Sequence, residues 1–439
     1  MRTPHRIALA TAISLLFASL SAANQNAPQL VLRATYDTGL AANGAEVISI
    51  RHDGIAAVTN VAGSVDILDL SNPLEPELLR RVVVDTTAGT PNSVAVHPHH
   101  DYFLVVTGTA GKTGAVAAYR ISDGALLDSA AVGIQPDSVA IAPNGQYAVV
   151  ANEAEGTGIG ANGGAGSLSI VNLTGFNGVV PSQLVVTTLA LPSLAGIPGV
   201  SSGRTDDAAR LPIDNTPATL EPEGIAFTGD SRFAYVTLQE NNAVIRLNLR
   251  TLEMDVVGLG QVSHLADVTV NGVYQPVSTL IAFREPDGIV LDQTGRVFVT
   301  ADEGDTRTAT GSGGPRGGRT VSVFDARTGA FVADTGSQLD DAAAAAGLYD
   351  DLRSNRGGSE PEGLDLTQHR GETLVAVALE RANAVALIDL TNPAAPTVID
   401  ITPVGIGPET VKFFRRGSRL FVASANEVSG TVSILEVVF

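Results

Sequence analysis

Six carboxylates recur at one position of a segment repeated seven times: Glu46, Asp137, Glu223, Asp287, Glu362 and Glu409, with Asn92 in the second copy. Around three of them the segment is nearly constant, as Glu221-Pro222-Glu223-Gly224, Glu285-Pro286-Asp287-Gly288 and Glu360-Pro361-Glu362-Gly363. A second series of acids ends the apolar strands that follow, at Glu153, Glu240, Asp302, Glu303, Glu380 and Glu427. Oxygen donors in such number suit a hard divalent cation, most simply Ca²⁺. Without one, carboxylates crowded together raise one another's pKa. Two other arrangements account for the same residues. Arg284, Arg307, Arg353, Arg356 and Arg381 in or beside these loops could neutralise them, or the acids could be structural caps on turn N–H groups. The glycine that follows the acid in three copies agrees with a tight turn that needs it.

These residues must be positioned by strands. Each copy is followed by an apolar strand, a second strand with a polar tip such as Tyr235 to Glu240, and a third such as Thr320 to Asp325. Anchors near residues 45, 91 and 136 are spaced like propeller blades, which repeat every 40 to 50 residues or so. The wider gaps farther on predict insertions around 153–220, 250–284 and 330–359, the last with a helix from Gln338 to Leu352. A sheet this small cannot bury both faces alone, so its neighbours must stack radially and close a ring. The expectation is an all-β, seven-bladed β-propeller of four-stranded antiparallel blades over residues 24–439. The chain ends on a third-type strand, Thr431 to Val437, so Gln29 to Tyr36 is expected to supply the missing fourth and remove an open edge.

In an antiparallel meander the start of the first strand and the end of the second share one face of the ring. With first strands lining the channel, the acids gather at one mouth. Cation ligands are then drawn from Glu46, Asp137, Glu223, Asp287, Glu362 and Glu409 with the tips Asp302 and Glu303, while Glu153, Glu240 and Glu380 face a ligand.

Composition narrows the function. Residues 1–23 read as a secretory leader: Arg2 and Arg6, an apolar run from Ile7 to Leu20, and Ser21-Ala22-Ala23 before cleavage. That run is shorter than the ~20 residues a membrane span needs, and no other transmembrane segment or C-terminal anchor tail is expected. The protein is read as exported: periplasmic, extracellular or cell-surface associated. Cys is absent, so disulfides, thiolate metal sites, haem attachment and thiol nucleophiles are excluded. The formal net charge of −19 becomes two units more negative without the leader, and such a surface repels nucleic acid and anionic lipid.

Other motifs carry little. Asp37-Thr38-Gly39 and Asp334-Thr335-Gly336 resemble aspartic-protease loops but fall on outer strands of different blades. Pro98 splits His97 from His99 and His100, which favours a turn over a metal site. Gly156 to Gly166 and Gly311 to Gly318 lack a Walker lysine, so no nucleotide is expected. Trp is absent, which disfavours a quinone cofactor.

The anchors at 221 and 360, the run Ala301-Asp302-Glu303-Gly304-Asp305 with Arg307, Asp351 to Asn355 leading into Ser359, and Gln239 to Ala243 resemble the choice-of-anchor I family of exported β-propellers. That family is similar to surface-layer proteins with YVTN-type repeats, to which Ala57-Val58-Thr59-Asn60 is close, and to an animal mesenchyme-specific cell-surface glycoprotein. A weaker similarity to esterase-like phytases implies Ca²⁺ held by Glu223, Asp287, Glu362, Asp302 and Glu303, with Arg307 and Arg353 on phosphate. Lys112 and Lys412 are the only lysines, which departs from phytase sites. Two functions follow: an exported propeller that binds a protein or glycan at a cation-loaded mouth, or a metal-dependent phosphoesterase acting on a small phosphorylated ligand there. Binding is favoured, since an acidic funnel attracts phosphate only after metals invert its sign.

Overall fold

Strands that are apolar on both sides need a packing partner on each face. Tyr102–Gly108 is buried along its whole length, as are Ala56 to Asn60. A computed structural model of the chain meets this need by radial stacking. It describes residues 27–40, 42–154, 164–178, 183–202, 204–205, 212–304, 306–308 and 315–439. The leader at 1–23 lies outside the described residues, as do most of Gly156 to Gly166 and part of Gly311 to Gly318.

Seven four-stranded antiparallel sheets surround a channel. The first strands of blades 1 to 6 are Ile48–Ile50, Thr90–Val96, Pro136–Ile141, Pro222–Phe227, Pro286–Leu291 and Pro361–His369. Blade 7 is Pro408–Arg416, Arg419–Asn426 and Thr431–Val438, completed by Gln29–Asp37 from the start of the chain. That last strand pairs Leu30 with Val437 and Tyr36 with Val432, with one register shift between Leu32 and Ala34. The expected architecture and its closure both stand.

The core lies between blades rather than within them. Seven apolar clusters each join one blade to the next, including the pair across the closure, where Ala56, Val58 and Leu68 of blade 1 meet Phe421, Ala423 and Ile434 of blade 7. Stability is therefore shared around the ring.

Additional elements are inserted at one face. In a blade the fourth strand runs back toward the end where the first began, so connections between blades emerge on the mouth face. A hairpin of Gln261–Ala266 and Ser278–Phe283 links blades 4 and 5 there. Arg204–Thr205, after blade 3, pairs with Arg307–Thr308, which follows the second strand of blade 5. The expected helix is shorter than its alanine-rich sequence suggested: α1 spans Gln338–Ala345. Gly347, at φ +73°, supplies the left-handed residue that ends it, and a separate 3₁₀ turn follows at Asp351–Arg353. Among the described residues no helix is long and apolar enough to cross a membrane.

Candidate functional site

Five of the six mouth acids, all but Glu46, fall at a break in the strand ladder. Pro222 pairs with Leu238 and the ladder resumes at Ile225 with Val236; Pro286 and Pro361 behave alike. The intervening acid and glycine form a bulge, which bends the strand and redirects a side chain. Shorter shifts occur over Asn92, Asp137 and Glu409.

The motif glycines serve a purpose other than the expected turn. Gly224, Gly288 and Gly363 are absent from the left-handed residues, and a Cβ on them would stand 2.5, 2.7 and 2.4 Å from the carbonyl oxygens of Asp287, Glu362 and Glu409. Each glycine makes room for the backbone of the next blade's acid. Strain falls on the residue before proline in three blades, with Glu285 at φ 53°, Glu360 at φ 50° and Gln135 at φ 46°, but not at Glu221.

The two acids of the motif thus divide their roles. In two copies the first acid is held by hydroxyl or guanidinium donors. Glu285 accepts hydrogen bonds from the Thr306 N–H at 3.1 Å and the Thr306 hydroxyl, with Arg204 3.5 Å away. Glu360 accepts from Arg353 and, at 2.7 Å, from Arg381. Four of the second acids, Glu46, Asp137, Asp287 and Glu409, line the channel together with Asn92, in a cavity of about 570 Å³. Lys412 lines the same cavity farther along its strand, near Asp365.

Burial is the largest influence on these carboxyls, and mutual repulsion adds to it. Burial, then Asp137 and Glu427, push Glu46 up to about 8. Glu223 stands well above the usual carboxylate range through burial, Glu240 and Asp287. Glu362 is raised in the same way by burial, Glu303 and Glu409, and Glu409 by burial, Glu380 and Asp287. Burial raises Asp287 to about 6. Glu380 reaches about 7 by burial, although Arg381 opposes the shift. One buried oxygen of Glu223, Oε2, accepts no hydrogen bond from any described residue.

The structure separates the remaining candidates. Asp302 faces into blade 5, not the mouth, where it accepts from Thr300 at 2.7 Å, Thr320 at 2.6 Å and Ser322 at 2.5 Å, with Arg284 at 3.9 Å. A carboxylate so fully engaged is a structural residue. Burial still lifts it to about 6. Glu153 accepts from Gln135 at 3.1 Å, and Glu240 is buried close enough to act on Glu223. Arg353 is committed to Glu360, which removes it from the phosphate role implied for it. The backbone of Arg307 pairs with Thr205; its side chain lies outside the described residues.

Four acids converge most closely. One carboxylate oxygen each from Glu303, Glu360, Glu362 and Glu380 lies within 4.8 Å of the others. Gln239 Nε2 donates to Glu303 at 2.5 Å, and Arg381 pairs with Glu380 at 2.5 Å. Sequence reasoning left Glu360 out of the ligand set and did not find Arg204. Glu360 carried a signal, since it flanks a motif acid and Arg381 follows Glu380. Arg204 carried none, because it reaches Glu285 from an insertion of another blade.

Both ring nitrogens of His97 are occupied: Nδ1 accepts from the His99 and His100 N–H groups at 3.1 and 2.9 Å, and Nε2 meets the Gly145 carbonyl at 3.0 Å. The histidines form a turn, as their spacing suggested. Asp37 and Asp334 lie on the outer strands of blades 7 and 5.

Residues 48–313 and 315–393 match the choice-of-anchor I domain. The chain belongs to the choice-of-anchor I family. No curated protein matches this choice-of-anchor I chain. Solved propellers share its fold. Kuenenia stuttgartiensis hydrazine synthase is similar at 14% identity and a TM-score of 0.56, covering 90% of this chain and 96% of that one. The β-propeller domain of Myceliophteria thermophila Cps50 (Swd1) is similar at 11% identity and a TM-score of 0.54, covering 93% and 100%. At such identities the likeness concerns the fold alone.

Proposed function

We propose that this choice-of-anchor I propeller is an exported, surface-associated binding protein whose acidic channel mouth takes up divalent cations and recognises a protein or glycan through the insertions around it. The observation that carries this reading is the set of second motif acids from six blades: Glu46, Asp137, Asp287 and Glu409 line the channel, and Glu223 and Glu362 are buried close enough to feel the charge of those neighbours. Burial and mutual repulsion make that set costly when ionised, and a cation offsets the cost. The insertions after blades 3, 4 and 5 stand on the same face, which gives a partner a rim to engage.

The phosphoesterase reading has less support. A cation could grip phosphate, but Arg353 is engaged by Glu360, and the lysine of the channel, Lys412, lies away from the mouth acids. Both readings are tested on purified mature protein by following melting temperature against Ca²⁺, with a chelator control. A rise of several degrees reversed by chelator is expected. No shift would remove the cation from the account. Chelator-sensitive turnover of p-nitrophenyl phosphate or phytate would replace binding with catalysis.

A further inference from the structure

We propose that Glu303, Glu360, Glu362 and Glu380 form one built site for a hard divalent cation of the calcium class, and that the ion latches blade 5 to blade 6 at the mouth. This inference rests on the cation reading of the mouth and adds the ligands, the ion class and a consequence.

The donor spacing fits. The four oxygens all lie within 4.8 Å of one another, close enough for one calcium ion with Ca–O of about 2.4 Å to reach all of them. Magnesium, at roughly 2.0–2.1 Å, needs a tighter octahedron and keeps its waters. Glu362 is a second, independent pointer. It is 7% exposed, belongs to the convergent set, and accepts no hydrogen bond from any described residue. The charges that act on it most are carboxylates, Glu303 and Glu409 first. Arg381 is near enough to feel its charge but is bonded to Glu360 and Glu380.

Two guanidiniums reach into the cluster, Arg353 and Arg381. They are positioning residues: their hydrogen bonds fix the orientation of the Glu360 carboxyl group, which sits on a left-handed backbone.

The latch follows from where the ligands arise. Glu303 follows the second strand of blade 5, Val297–Asp302. Glu360 and Glu362 flank the proline that opens blade 6, and Glu380 follows that blade's second strand, Glu372–Leu379. A bound ion therefore joins two blades and steadies the segments that leave them at the mouth.

The experiment measures Ca²⁺ binding to the mature chain by calorimetry, with Tb³⁺ luminescence as a second probe and Mg²⁺ for comparison. One site that prefers Ca²⁺ to Mg²⁺ is expected, weakened at least tenfold in Glu362→Gln and in Glu380→Gln and unchanged in Glu75→Gln on the outer side of blade 1. Glu303→Gln, at the least buried ligand, keeps the test open should a buried variant fail to fold. It should weaken binding in a protein with an unchanged circular dichroism spectrum. Ca²⁺ binding that survives all three ligand substitutions within twofold would overturn this site while leaving a cation elsewhere at the mouth. Wild-type protein that binds no Ca²⁺ would overturn both readings together.

Discussion

At the scale of single residues, the motif works because its two acids are treated differently. Glu285 and Glu360 receive guanidinium and hydroxyl donors, whereas Glu223, Glu362 and Glu409 are buried among other carboxylates. A carboxyl whose native pKa is raised holds a proton that the unfolded chain gives up near its ordinary value. Native stability therefore falls as pH rises through the interval between the two. With Glu46 near 8, Glu380 near 7 and Asp287 near 6, the melting temperature in chelator should fall between about pH 5 and 8. Saturating Ca²⁺ should flatten that slope. Glu223→Gln, which keeps shape and removes a buried charge, should raise stability in chelator at pH 8 by about 1–3 kcal/mol and change little at pH 5. Thermal melts across pH check both expectations.

At the scale of the strand, the bulge and the glycine form one device. The bulge turns the acid toward the channel, and the glycine admits the neighbouring backbone that carries the next acid. Gly288→Ala would place a Cβ 2.7 Å from the Glu362 carbonyl oxygen, with backbone on both sides and little freedom to move. A loss of about 1–3 kcal/mol is expected, read by denaturant unfolding. The sequence made the strand and the position of the acid legible, because Pro, acid and Gly recur ahead of an apolar run. It did not reveal why glycine is there, because the contact is with a residue one blade and some 75 positions away, as Gly288 is from Glu362 and Gly363. The helix was misjudged for a local reason: alanine content favoured length, and Gly347 ended it early.

At the scale of the whole molecule, the ring is one cooperative object because its apolar clusters lie between blades and include one across the closure. Deleting Gln29–Asp37 would remove the outer strand of blade 7, expose the Thr431–Val438 edge and unpack Leu30 from the cluster between blades 6 and 7. The shortened protein should melt at least 10 °C lower or elute as aggregate, tested by calorimetry and size-exclusion chromatography; an unchanged melt would show that closure does not hold the ring. Charge has its own expression at this scale. Six blades each contribute one acid at or beside a shared channel, and these acids act on one another's charge, so a change in one alters the electrostatics of others.

The repeat spacing by itself determined the number of blades, the strand that closes the ring and the face on which the acids lie, since period and strand direction are local properties. Only the tertiary structure decided which acids are spent. Asp302 is satisfied by hydroxyls of its own sheet and Glu285 by Thr306 and an arginine from another blade's insertion, whereas Glu360 is oriented by two arginines beside three further glutamates. Hydrogen-bond partners and charge balance depend on distances between blades, and those distances exist only once the ring is closed.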